Sequence, residues 1–268
     1  MPELDLSLII YGLAVGIGAG LLGGLMAGIA GVGGGLIYVP VFYACMPGNT
    51  EGMSAYVFAS LVAIIITGFI SSRSHWRLGH LDRSAMFLLL PGLIIGAGIG
   101  LWSTLHLPAA WILFALAALN AWVAFDYSRK LNIGAQAKTT LPLFSGPIGY
   151  ISGLLGIGGG TMLVPLLRRS LTLRHAVGTS ASCGFIMALG AIAVNMTLES
   201  SWHTLISDQW LFLLPAWLGI ALILPASVGW SARLHDVMSE LALRVILKTM
   251  FISLSAGFLI AALLSGYH

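Results

Sequence analysis

The sequence predicts an all-α polytopic membrane protein of two inverted repeats. Each repeat holds a glycine-broken re-entrant or discontinuous helix plus three transmembrane helices. Three observations carry this expectation. Of 268 residues, 58% are hydrophobic and 8% charged, against about 25% charged in a soluble domain, so lipid must cover much of the surface. A glycine unit occurs twice, Gly31-Val-Gly-Gly-Gly35 and Gly156-Ile-Gly-Gly-Gly160, at an offset of 125 (156 − 31), each followed by a Val-Pro pair. Lys and Arg collect in alternate connections, the signature of a chain that threads a bilayer back and forth.

In chain order, Leu6–Met46 is uncharged and would be about 60 Å long as one helix, twice a hydrocarbon core of about 30 Å. Each glycine weakens a helix by about 1 kcal/mol, so the run at 31–35 ends a long helix, and a short one follows from Leu36 to Cys45. Gly12, Gly16, Gly20, Gly24 and Gly28 recur every fourth residue, a stripe that lets another helix approach closely. Pro47-Gly-Asn49 is a turn. Spans follow at Met53–Ser72, Ser84–Thr104 and Pro108–Tyr127, separated by the basic loop Arg73–Arg83 and the turn Leu105–Leu107. Gly92, Gly96 and Gly100 form a second small face. The repeats are placed at residues 1–130 and 141–268, with a cytoplasmic linker at 131–140. The second half begins with the glycine-broken stretch Leu141–Leu167. Its spans are Ala176–Met196, Gln209–Gly229 and Val245–Ser265, with Glu199–Asp208 an acidic loop and Trp230–Arg244 a basic, partly helical one. The N-terminus, Met1–Asp5, lacks the positive region of a signal peptide, so the first apolar stretch is expected to be retained.

Basic loops face the cytoplasm. With 73–83, 128–140, 168–175 and 230–244 inside, equivalent spans of the two halves point in opposite directions. Leu141–Leu167 then starts and ends inside, and its 27 residues cannot cross twice at about 20 residues per crossing. It is expected to dip in, turn at the glycines and return, with Leu6–Met46 doing so from outside. Two ordinary broken spans are the other arrangement.

Bare backbone survives at membrane depth only when buried in protein or lining a polar cavity, and broken helices in inverted repeats are a plan of secondary transporters. The short helices start at the glycines, so their free N–H groups and positive dipole ends point at the centre. That makes an anion site without Lys or Arg, and the spans carry no buried carboxylate for a cation or proton relay. The candidate substrate-binding residues are Gly33, Gly34, Gly35, Tyr38, Ser60, Gly158, Gly159, Gly160, Thr161, Thr179 and Ser180, with Tyr56 and Asn195 as further polar groups. Against this stand plainer roles. Glycine runs also permit tight crossings. Ser60, Thr179 and Ser180 are each more often packing residues than ligands, and Asn120 and Asn195 suit bridges between helices. Arg168 and Arg169 would concentrate anions at the cytoplasmic mouth.

Cys45 and Cys183 form no CxxC or Cys/His cluster, so no metal or other cofactor is expected. No GxSxG, HExxH, P-loop or carboxylate pair points to an enzyme. The net charge of +3 sits in topology-setting loops, and no nucleic-acid partner is expected. The expected partners are a small anion and the bilayer of a bacterial inner membrane, with a homodimer left open. The reading from another class is a membrane scaffold whose glycines only pack helices.

At these residues the chain resembles the TauE/SafE family of membrane transporters, the sulfite exporter family. The resemblance covers nearly the whole chain. It rests on the paired Gly-x-Gly-Gly-Gly-x-x-x-Val-Pro, on His175-Ala-Val-Gly-Thr-Ser180, and on Ser74-His-Trp-Arg-Leu-Gly-His80. It implies export or uptake of sulfite, sulfoacetate or related sulfur-containing anions. The first half departs from the pattern. Its best counterpart of Ala176–Ser180 is Ala55–Ser60, which needs a five-residue insertion.

Overall fold

The computed structural model describes residues 5–30, 34–47, 53–126, 141–237 and 240–265. They form ten helices and no strand. These are α1 (Leu6–Ala30), α2 (Gly35–Cys45), α3 (Ser54–Arg77), α4 (Arg83–Ser103), α5 (Ala109–Asp126), α6 (Leu141–Leu155), α7 (Gly160–Leu167), α8 (Leu173–Leu198), α9 (Ser201–Val237) and α10 (Glu240–Ser265). Five are long and apolar enough to cross a membrane: α1, α3, α4, α8 and α9. The linker expected at 131–140 lies outside the described residues.

Helix ends differ from expectation in two places. α3 runs on through His75 and Arg77, and α9 is continuous from Ser201 to Val237, absorbing the loops expected at Glu199–Asp208 and the start of Trp230–Arg244. Charge and polarity mark where a chain leaves lipid, whereas a helix ends only where its backbone does. Asp5 starts α1 by accepting from the Ser7 N–H and hydroxyl, bonds that hold its carboxyl below the ordinary range. Asp82 caps α4 by accepting from the Ala85 N–H at 2.9 Å.

The glycine stripes do what their spacing suggests. A Cβ on Gly12, Gly16 or Gly20 would meet the backbone of α9 at Phe212, Ala216 or Ile220 in turn, so α1 and α9 run parallel in close contact. Ser227 ties them, its hydroxyl donating to the Gly20 carbonyl at 3.1 Å. Gly96 and Gly100 of α4 press on Gly146 and Tyr150 of α6, again parallel. α3 and α8 are antiparallel: Gly68 meets Phe185, Ser72 meets Ser182, and His75 meets Gly178. The remaining principal contacts join α2 to α3, α7 to α8, α5 to α10, α4 to α8 and α3 to α9. Shifting every helix number by five carries α1–α9 into α6–α4 and α2–α3 into α7–α8, and returns α3–α8 and α5–α10 to themselves.

These directions place the helix ends. α9 starts where α8 stops, across the turn at Glu199–Ser200, and α3 starts at that same end. Parallel to α9, α1 starts there too. Parallel to α4, α6 starts at the other end, where α3 and α4 join and α8 begins.

Candidate functional site

The break between α6 and α7 is made by backbone conformation. Gly156 and Gly158 have φ of 62° and 55°, a left-handed region that costs other residues about 1–2 kcal/mol. Little space remains beside them: a Cβ on Gly156 would lie 3.1 Å from the Val57 backbone, and one on Gly158 2.9 Å from Ile64. α3 of the first half therefore cradles the turn of the second. It also bonds to it, the Ser60 hydroxyl donating to the Gly156 carbonyl at 2.6 Å.

The start of α2 touches this turn. Gly35, the first residue of α2, lies so close to the Ile157 carbonyl that a Cβ there would collide with backbone. α2 and α7 begin after Gly34 and Gly159, residues with no side chain to cap them. Beside the contact is a small cavity open at one end. Gly34, Gly35, Ile157, Gly158 and Gly160 form its inner end. α3 contributes Ile64, Thr67, Gly68 and Ser71, and α8 contributes Val177, Ser180, Ala181, Gly184 and Phe185. No charged side chain lines it among the described residues. Its inner residues Thr67 and Ser180 are buried, whereas Ser71, Val177 and Ala181 are half-buried. The cavity thus opens towards the end where α3 stops and α8 starts. At the other end, Phe58 stacks on Trp202 at 5.3 Å, Tyr43 packs edge-on to Tyr56 at 5.4 Å, and the Trp217 indole donates to the Ala59 carbonyl at 3.1 Å.

The expected site residues divide. Gly34, Gly35, Gly158, Gly160 and Ser180 come together on the cavity wall. The Ser180 hydroxyl is buried with no hydrogen-bond partner, as is that of Thr161 on the first turn of α7. Gly159 packs behind, against Leu163. Tyr38 is fully buried under Gly34 and Gly23, its hydroxyl also unpartnered. Ser60 is committed to Gly156, and Thr179 faces away from the cavity, its hydroxyl accepting from the Asp82 N–H at 2.9 Å. Gly33 lies outside the described residues. Asn195 bridges helices, its amide donating to Gly98 on α4 at 2.9 Å. Asn120 does not bridge through its amide, which donates to Leu116 of its own helix.

Thr67, Gly68, Ser71 and Gly184 join the wall without having been singled out. Their signal is the four-residue spacing of Thr67 with Ser71 and of Ser180 with Gly184, which puts each pair on one helix face.

The sulfite exporter TauE/SafE family model matches residues 16–258. A "probable membrane transporter protein" of Haemophilus influenzae is 31% identical over 75% of this chain and 80% of its own length. The "probable inner membrane transporter protein TsaS" of Comamonas testosteroni is 30% identical over 65% and 72%. A third relative, the "probable membrane transporter protein YunE" of Bacillus subtilis, is 24% identical over 75% and 83%. No solved structure matches. The uncapped start of α2 against the α6–α7 turn, a cavity with no charged lining among the described residues, five apolar helices of spanning length and these relationships agree: the chain is a multi-pass membrane transporter and belongs to the TauE/SafE sulfite exporter family.

Proposed function

We propose that the protein moves a small sulfur-containing oxyanion, sulfite or an organosulfonate, across the bacterial inner membrane, chiefly outward. The observation that carries this is the shared cavity wall. The side-chain-uncapped starts of α2 and α7 and the unpaired hydroxyl of Ser180 share that wall, and no charged side chain among the described residues lines it. Oriented N–H dipoles favour an anion, and an unpaired buried hydroxyl is a donor waiting for an acceptor. The antiparallel course of α3 and α8, with α1–α2 and α6–α7 entering from opposite ends, supports two inverted repeats with re-entrant turns at the midplane. The end where the cavity opens carries Arg73, Arg77, Arg83, Arg168 and Arg169, which supports placing it in the cytoplasm. Moving one repeat against the other would close this mouth and part the aromatic seal opposite. Export of a monoanion from an inside-negative cell is downhill by about 2.3 kcal/mol per 100 mV, which suits a site without a coupling carboxylate.

The test is efflux from proteoliposomes loaded with sulfite, thiosulfate, sulfoacetate, sulfate or chloride, together with thermal shift of the purified protein against the same panel. Sulfite or a sulfonate is expected to leave faster than chloride and to stabilise the protein. Absence of both flux and stabilisation across the panel would leave the scaffold reading in its place.

A further inference from the structure

Just beyond the cavity mouth stand three histidines from different parts of the chain. His75 lies one helical turn past Ser71 on α3, His80 is on the connection to α4, and His175 precedes Val177 on α8. The His80 ring centroid is 6.0 Å from that of His75 and 6.0 Å from that of His175. All three are half-buried. Their seating is specific. A Cβ on Gly178 would collide with the His80 carbonyl and approach the His75 side chain, so only glycine lets α8 come this close. The Asp82 N–H to Thr179 bond pins the same connection to α8. The His175 Nδ1 pairs with the Thr172 hydroxyl at 2.9 Å, whereas the His75 Nδ1 is buried with no partner. Among the described residues no group of three His, Cys, Asp or Glu is arranged to hold a metal ion.

We infer that His75, His80 and His175 form an entrance station for oxyanions whose positive charge rises on acidification, loading the cavity from its open end. The inference rests on reading the cavity as an anion path. Histidine is the side chain whose charge ordinarily changes between about pH 5 and pH 8, and each proton also turns a ring nitrogen into a donor. Arg73 and Arg77 on α3, Arg83 on α4, Arg168 and Arg169 after α7, and Arg174 on α8 belong to the same end of the molecule and carry permanent positive charge. The Arg83 guanidinium lies over the Trp76 ring at 5.4 Å. Asp82, beside His80 in the chain, caps α4 with its side chain, and Asp126, Asp236 and Glu240 stand at the ends of α5, α9 and α10 on this same side. The arginines attract anions at every pH, and the histidines supply the part that a proton switches.

The test does not depend on transport. In a background with Cys45→Ala and Cys183→Ala, Ser71→Cys places a thiol at the mouth. It is labelled with an anionic methanethiosulfonate carrying a sulfonate and, separately, with neutral methyl methanethiosulfonate. The ratio of the two rates cancels the thiol's own ionisation. Between about pH 8 and pH 5.5 that ratio is expected to rise about three- to tenfold, the gain of a mouth acquiring local positive charge. The rise is expected to vanish in His75→Gln/His80→Gln/His175→Gln. A flat ratio in the parent, or an undiminished rise in the folded triple variant, overturns the station. If the triple variant does not fold, His80→Gln alone is used and is expected to halve the rise or more. A protein that shows the rise but moves no anion of the panel keeps the station and loses the transport reading. One that moves anions with a flat ratio does the reverse.

Discussion

The Ser60 hydroxyl on α3 donates to the Gly156 carbonyl of the opposite half's turn at 2.6 Å. Ser60 is buried, and water is not at hand to replace it. Ser60→Ala leaves that carbonyl unpaired, at a cost of about 1–3 kcal/mol. The expected result is a lower thermal midpoint in detergent with substrate affinity unchanged in the folded fraction. An unchanged midpoint together with a large loss of affinity would instead make Ser60 a ligand.

Thr161 and Ser180 should behave in the opposite way. Their hydroxyls are buried and unpaired, so Thr161→Val and Ser180→Ala remove an unsatisfied group and should hold or raise the thermal midpoint. If each donates to a bound anion, a bond worth about 1.5–3 kcal/mol is lost, and affinity should fall about tenfold or more. Binding measured by thermal shift against sulfite, set beside the unliganded midpoint, separates the two effects.

Gly35→Ala tests the meeting of the turns. The added methyl runs into the Ile157 carbonyl, which is backbone and cannot swing aside. Overpacking of this kind costs about 1–3 kcal/mol, and here it also pushes the start of α2 away from the α6–α7 turn. Efflux should drop severely in protein that still purifies as a monodisperse species. Gly146→Ala is the control, since nothing lies within 4 Å of its added carbon.

Gly16 and Gly18 sit two residues apart on α1 and should differ in sign. A Cβ on Gly16 collides with the Ala216 backbone of α9, whereas one on Gly18 meets nothing. Gly16→Ala should therefore destabilise by about 1–3 kcal/mol. Gly18→Ala should be neutral or stabilise by up to about 1 kcal/mol through helix propensity. Thermal unfolding of both in the same detergent decides it.

The parts of this protein readable from the chain are those set by local chemistry. Uncharged stretches must be helices in lipid, because a backbone there has to satisfy its own hydrogen bonds. Glycine runs must break them, and glycines every fourth residue must face a neighbour. The breaks before α2 and α7 and the close approach of another helix to the glycine face of α1 follow from that alone, whereas α9 as that helix emerges only from the packing.

Which hydroxyl does which job depends on three-dimensional neighbours. Thr179 and Ser180 are adjacent in sequence, yet about 100° of helical turn separates their side chains; one meets the Asp82 N–H and the other the cavity. Ser60 looked like Ser180 until α3 was laid against the Gly156 carbonyl. The entry of Thr67 and Ser71 onto the wall, and the gathering of His75, His80 and His175 at its mouth, likewise needed the antiparallel docking of α3 on α8. Local propensity can specify a helix and its break. The direction in which a side chain faces a ligand is decided only when packing fixes the rotation of that helix about its own axis.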